Sequence, residues 1–115
     1  MKRKSISFED KCLINGKSNY RCAKCGKKLL VTDEDFSVDH VMPISKGGDN
    51  DLRNMVGLCV ECNQAKGDNF VVPRLYYPYL NKDSLTKPEG YYLDRIHVVW
   101  QFSNDVYDLF MQSLN

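Results

Sequence analysis

The chain has 115 residues, of which 43% are hydrophobic and 27% charged, and its formal net charge is +1. This length and composition are typical of one globular domain with a core of its own. The chain has no apolar run long enough to cross a bilayer, and its polar start, MKRKSISFED, lacks the apolar centre of a signal peptide. We therefore expect a cytoplasmic protein with no membrane partner.

Charge is distributed unevenly along the chain. Residues 1–30 contain nine Lys/Arg and two acidic residues, whereas residues 31–69 contain eight acidic and three basic residues. A basic flank beside an acidic middle suggests a surface that binds polyanions next to a site that holds cations. Lysines that only aid solubility are the alternative at this stage.

The basic part begins with a predicted helix. In SFEDKCLING, Ser7 suits the N-cap, two acidic residues follow in the first turn, and Asn15-Gly16 offers a stop. Cys12 is expected to be a buried apolar residue of this helix. The next stretch, NYRCAKCGKKLL, is typical of a tight metal-binding knuckle.

The middle of the chain predicts a strand, a loop, a second strand and a helix. FSVDHVMPI is the first strand, and Pro43 ends its pairing before the turn-rich SKGGDND. NMVGL is the second strand, and CVECNQAKGD is a knuckle that opens into a helix. This order predicts an α+β fold.

The sequence changes character after Phe70, where most of the aromatic residues and three of the four prolines occur. We expect residues 73–115 to form an extension that packs on the core and offers a docking surface to a second copy of the chain or a partner protein. NDVYDLFMQSL predicts a terminal helix capped by Asn104, and His97 is expected to be a packing or surface residue. The aromatic residues expected to cover the core are Tyr76, Tyr77, Tyr79 and Trp100.

Four cysteines form two CxxC pairs, Cys22 with Cys25 and Cys59 with Cys62. In a reducing cytosol such pairs predict one tetrahedral Zn²⁺ held by four thiolates, because soft sulfur ligands favour zinc. Protein occupies all four positions, so this zinc would be structural and its binding would contribute folding energy. Redox-active or incidental thiols are the alternative.

The residues around these pairs resemble the HNH endonuclease family. The matching stretches are VDHVMPISKGG, DLRNMVGLC and CNQAKG, and the resemblance covers roughly residues 5–70. It implies a small zinc-stabilised ββα-metal core, also called a His-Me finger, in an HNH domain over residues 1–72. Asn63 stands where many members carry histidine, so the chain resembles the HNN variant of the family.

The resemblance also implies a metal-dependent endonuclease that hydrolyses DNA. His40 would remove the proton from water, since an imidazole is a competent base near neutral pH. Asp39 and Asn63 would hold a divalent cation, and Asn54 would hold the loop that orients the histidine. Oxygen ligands and the missing second imidazole favour Mg²⁺ or Mn²⁺ as the catalytic ion.

Nucleic-acid binding is expected to depend on lysines. Lys66 lies one helical turn from Asn63, on the same predicted face, and could contact a phosphate. Lys24, Lys27 and Lys28 are predicted to bind the backbone of a nucleic acid, most simply double-stranded DNA, with little sequence preference.

Asp33, Glu34 and Asp35 are most simply read as a solvated loop, although Asp35 and Asp49 lie near enough to the cation site in sequence to be candidates to support it. The main rival function is a non-catalytic zinc module that binds nucleic acid or a partner protein. RNA cleavage is a third alternative that the sequence leaves open.

Overall fold

The computed structural model describes residues 5–71 and 73–81, together with Lys87 and Tyr91. The predictions for His97, Trp100 and the terminal helix capped by Asn104 lie outside the described residues. The division of the chain into residues 1–72 and 73–115 stays a prediction.

The first helix, α1, spans Phe8–Gly16 and begins as predicted. The Ser7 hydroxyl accepts the main-chain N–H of Asp10 at 3.1 Å, which satisfies one of the free donors of the first turn. The buried face of α1 consists of Ile14 and Asn15, and the Asn15 amide donates to the carbonyl of Leu29. Cys12 is only partly buried, so the prediction of a buried Cys12 was wrong.

The sheet has two antiparallel strands, β1 (Phe36–His40) and β2 (Met55–Cys59). Phe36 pairs with Cys59 and His40 with Met55. The predicted first strand extended to Ile44, but β1 ends at His40. The chain leaves the ladder there because the Asn54 side chain bonds to both main-chain groups of Met42. Asn54 accordingly ends a short 3-10 helix instead of beginning β2.

Helix α2 spans Val60–Lys66 and follows β2 without a loop. The Cys59 sulfur caps its first turn by accepting the N–H of Cys62, and Gly67 is the C-cap. The two strands and α2 form a ββα unit, so the predicted α+β fold is confirmed.

The core of the described part packs beneath this unit and reaches into the start of the extension. A four-residue helix, α3 (Pro73–Tyr76), leads to the buried Tyr77. The main-chain N–H of Tyr79 donates to the carbonyl of Ala23, and that of Asn81 donates to the carbonyl of Lys17. The Tyr79 side chain was expected to cover the core, but it is exposed. The principal core residues are Leu29, Val41, Met42, Val56, Leu58 and Phe70. None of the helices in the described part is long and apolar enough to cross a membrane.

Candidate active site and metal centre

The four predicted zinc ligands, Cys22, Cys25, Cys59 and Cys62, lie together, and all their sulfur atoms are within 4.8 Å of one another. A zinc ion about 2.3 Å from each sulfur would hold the sulfurs about 3.8 Å apart. Cys25 Sγ lies 3.9 Å from Cys59 Sγ, which agrees with that arrangement. The N–H groups of Cys25 and Cys62 face the sulfurs of Cys22 and Cys59, each at 3.5 Å. The four cysteines are therefore positioned to bind a metal ion, as zinc requires.

A cavity of about 260 Å³ lies where β1 ends beside α2. Three of the four predicted catalytic residues line it, since Asp39 and His40 come from the end of β1 and Asn63 comes from α2. The second CxxC pair lies where β2 joins α2, so a zinc ion bound by the four cysteines would hold these two elements together. The remaining residues that line the cavity are Pro43, Ile44, Gly67 and Asp68.

His40 is 5% exposed, and its ring Nε2 lies 3.0 Å from the side-chain oxygen of Asn50. Asn50 was not predicted as a site residue. Its place in the turn-rich stretch SKGGDND suggested only a loop, and no spacing rule connects it to His40. The tertiary fold brings the two side chains together.

Asn54 is fully buried, and its side chain forms three hydrogen bonds with the neighbouring main chain. Its side-chain oxygen accepts the N–H of Met42 at 2.9 Å. Its amide nitrogen donates to the carbonyls of Met42 and Asp49, each at 3.0 Å. These three bonds tie Met42 to Asp49 in the loop beside His40, and the role of Asn54 in orienting the histidine stays a prediction.

Lys66 was expected to contact a phosphate, but it is 3% exposed and does not reach the surface. Its Nζ lies 2.6 Å from Asp39 Oδ2 and donates to the carbonyl of His40 at 3.0 Å. Asp39 is thus paired with a buried cation on the wall of the cavity. The Asn63 amide nitrogen donates to Ser37 Oγ at 2.9 Å, which leaves its carbonyl oxygen as the end that could bind a cation.

A family model described as HNH endonuclease matches residues 22–75. That span holds all four cysteines and every residue that lines the cavity. This part of the chain belongs to the HNH endonuclease family.

Two similar proteins are much longer than this chain. Over 53 residues it is 34% identical to the CRISPR-associated endonuclease Cas9 of Corynebacterium diphtheriae, and the match covers 45% of this chain and 5% of that protein. The crystal structure of the Type II-C Cas9 enzyme from Actinomyces naeslundii aligns over 96% of this chain and 13% of its own, with 19% identity and a TM-score of 0.48. The chain therefore spans only a small part of either protein.

The lysines predicted to bind a nucleic-acid backbone surround the first knuckle of the HNH segment. Lys28 is exposed, whereas Lys27 forms an ion pair with Asp35. Lys24 lies over the ring of Tyr76, with Nζ 4.2 Å from the ring centroid. Asp35 also accepts the N–H of Val60 at the start of α2, so it supports the knuckle and does not line the cavity.

A group of charged residues surrounds Asn50, the residue whose side chain contacts His40. Asp49 Oδ2 lies 2.9 Å from Lys87 Nζ, and Asp51 Oδ2 lies 3.3 Å from it. Although partial burial opposes the effect, the hydrogen bond from Lys87 keeps the pKa of Asp49 below its ordinary value. Hydrogen bonds from Arg53 lower the pKa of Asp51 strongly. Both carboxylates therefore remain charged at neutral pH.

Proposed function

We propose that this chain is a metal-dependent endonuclease that hydrolyses the phosphodiester bonds of DNA and leaves 5′-phosphate and 3′-hydroxyl ends. The observation that carries the proposal is the convergence of Asp39, His40 and Asn63 on one cavity of an HNH segment. The relative from Corynebacterium diphtheriae is named as a CRISPR-associated endonuclease, which supports a nucleic acid as the substrate.

His40 is the proposed general base. A neutral imidazole can accept the proton of a water molecule at the moment when that water attacks phosphorus. The ring lies on the cavity wall and its Nε2 is held by Asn50. The other ring nitrogen is then the one that serves as the base. A fixed ring improves the base, because the attacking water must be aligned with the scissile bond.

Asp39 and Asn63 are the proposed ligands of Mg²⁺ or Mn²⁺. A carboxylate and an amide oxygen are the hard donors that these ions prefer, and both residues line the cavity beside His40. Such an ion, when bound, neutralises the negative charge that builds up on the phosphate and on the leaving oxygen. The hydrogen bond from Asn63 to Ser37 orients the amide of that ligand.

The nucleic acid is proposed to bind beside the first knuckle, where Lys24, Lys27 and Lys28 lie. Such contacts supply affinity that depends on salt and little on sequence. Double-stranded DNA is the proposed substrate, and one cavity would cut both strands either in two successive nicks or with a second copy of the chain. The docking role of residues 73–115 and the cytoplasmic location remain predictions from the sequence.

One observation favours the second candidate, a non-catalytic zinc module that binds nucleic acid or a protein. The ammonium of Lys66 already neutralises Asp39, so the cavity does not need a divalent ion for charge balance. A module without catalysis would be stable with this pair alone.

Supercoiled plasmid and single-stranded RNA, each incubated with the zinc-loaded protein, distinguish these functions. One arm contains Mg²⁺, one Mn²⁺, and one no added divalent ion; a chelator is left out because it could also remove zinc. We expect nicked plasmid in the first two arms and none in the third. Intact plasmid in every arm, with DNA binding retained, would support the binding module. Cleavage of RNA alone would change the substrate class.

A further inference from the structure

Asn50 contacts the proposed base through one atom of each side chain. The side-chain oxygen of Asn50 lies 3.0 Å from Nε2 of His40. A carbonyl oxygen can only accept a hydrogen bond, so Nε2 must carry the proton when the ring is neutral. The lone pair of the neutral ring is then on Nδ1.

The residue before Asn50 has both of its main-chain groups fixed by side chains. The N–H of Asp49 donates to the hydroxyl of Tyr91 at 2.9 Å, and its carbonyl accepts from the amide of Asn54 at 3.0 Å. Asn54 is five residues from Asp49, whereas Tyr91 is 42 residues away, in the extension. The position of Asn50 therefore depends on the extension as well as on the HNH segment.

Lys87 holds the same loop through charge. Its Nζ lies 2.9 Å from Asp49 Oδ2, 3.3 Å from Asp51 Oδ2 and 4.6 Å from the centroid of the Tyr91 ring. The Lys87 side chain is 9% exposed and its two carboxylate partners are partly exposed, so solvent screens these interactions only in part. We call Lys87 and Tyr91 the extension clamp.

The loop also packs closely on the chain that follows β1. A Cβ atom added at Gly48 would lie 1.8 Å from the carbonyl oxygen of Met42. The N–H of Gly48 donates to the carbonyl of Pro43 at 2.9 Å. Only glycine permits this approach of two backbones, so Gly48 lets the loop pack directly on the segment that follows His40.

We propose that Asn50 is a positioning residue that selects the Nε2–H tautomer of His40, and that the extension clamp holds Asn50 in place. Nδ1 is thereby the nitrogen that accepts the proton of the attacking water. The effect on cleavage rests on the proposed function, whereas the tautomer can be measured without it.

Nuclear magnetic resonance of the zinc-loaded chain with ¹⁵N-labelled histidine measures the tautomer directly. The chain has two histidines, so a His97→Gln variant assigns the His40 ring. In alkaline buffer, where both rings are neutral, we expect one protonated nitrogen for His40, namely Nε2. Asn50→Ala should produce a mixture of the two tautomers, and Asn50→Asp should restore the single one. A wild-type ring protonated on Nδ1, or a tautomer that Asn50→Ala leaves unchanged, would overturn the proposal.

Cleavage kinetics then test the consequence. Asn50→Ala should lower kcat by about 10- to 100-fold with KM little changed, since a misplaced base affects the chemical step and not binding. Tyr91→Phe, which removes only the hydroxyl that holds Asp49, should lower kcat less, and Asn50→Asp should recover most of the rate. Tyr20→Phe alters an exposed tyrosine outside the clamp and should have no effect.

The outcomes are distinguishable. Wild-type kcat in Asn50→Ala would contradict the positioning role even if the fold is intact. A wild-type chain that cleaves nothing would refute the proposed function, while the tautomer experiment would still decide whether Asn50 orients His40. If Asn50→Ala does not fold, the tautomer of His40 in the wild-type spectrum and the kcat of Tyr91→Phe decide whether Asn50 positions His40.

Discussion

Lys66 places its ammonium 2.6 Å from the carboxylate of Asp39, in the interior of the ββα unit. The same ammonium donates to the carbonyl of His40 at 3.0 Å. Since α2 carries Lys66 and β1 carries its two partners, the contact fastens the helix to the end of the strand. It also gives Asp39 a counter-charge before any divalent ion arrives.

Replacing Lys66 with Met should lower the free energy of unfolding by about 3 kcal/mol, because it removes the buried counter-charge of Asp39. Mg²⁺ should then raise the melting temperature more in this variant than in the wild type, since the ammonium that competes with the ion for Asp39 is gone. Thermal unfolding with and without Mg²⁺ measures both effects. Lys28→Met, which alters an exposed lysine, is the control. Equal melting temperatures in the two variants would show that the buried pair contributes nothing.

Asn54→Ala should lower the free energy of unfolding by about 2–3 kcal/mol. The substitution removes the partners of three main-chain groups, on Met42 and Asp49, and each buried group left unsatisfied costs about 1–3 kcal/mol, of which water entry would recover part. Urea unfolding of the zinc-loaded protein gives the value. Asn69→Ala, at an exposed asparagine whose side chain donates one hydrogen bond, should cost far less. Similar losses in both variants would argue against a special role for Asn54.

Lys17 predicts a pH dependence of stability in the alkaline range. Its Nζ donates to the carbonyls of Leu52 and Met55, and burial lowers its pKa from 10.5 to about 8, with Asp51 opposing the shift. The unfolded chain therefore binds more protons than the folded one between pH 8 and 10.5, so the contribution of Lys17 to stability rises with pH over that interval.

The difference between the urea midpoints of wild type and Lys17→Met isolates this contribution. We expect the wild type to gain stability relative to the variant as the pH rises from about 8 towards 10.5, the window set by the lowered pKa. A constant difference would show that the Lys17 ammonium is not desolvated in the folded chain.

Zinc removal should unfold the HNH segment. Cys59→Ser keeps an acceptor for the N–H of Cys62 at the start of α2, so its loss of stability can be assigned to the metal. We expect this variant to lack zinc by elemental analysis and to lose its cooperative thermal transition. Cys12→Ser, outside the four-cysteine cluster, should keep both. A Cys59→Ser protein with a wild-type melting curve would refute a structural zinc.

Local patterns were enough to predict the elements that carry the site. The N-cap at Ser7, the paired cysteines and the apolar runs around Asp39 and Asn54 each depend on residues close in sequence, and the helix, the metal centre and the ββα order followed from them. The end of β1 was not predictable in the same way. It depends on hydrogen bonds between the Asn54 side chain and the main chain of Met42, which take the place of strand pairing there. These two residues are 12 apart in the sequence.

The environment of each charged side chain was the least predictable part. Helical spacing placed Lys66 on the face of Asn63, but spacing does not say whether a lysine bends inward to a carboxylate or outward to solvent. Asn50 gave no signal, because a turn-rich stretch has many polar residues and its partner is chosen by the tertiary fold. The roles of Lys87 and Tyr91 depend on contacts made across 36 or more residues, between the extension and the loop.

The central claim is that His40 is the base of a nuclease, and a paired measurement of cleavage and binding tests it most directly. Plasmid nicking with Mg²⁺ and DNA affinity at the same salt concentration are measured for the wild type and for His40→Ala, both loaded with zinc. We expect the variant to bind DNA with wild-type affinity and to cut at least about 100-fold more slowly, the scale of a lost general base. Equal nicking by both proteins would contradict the assignment of His40.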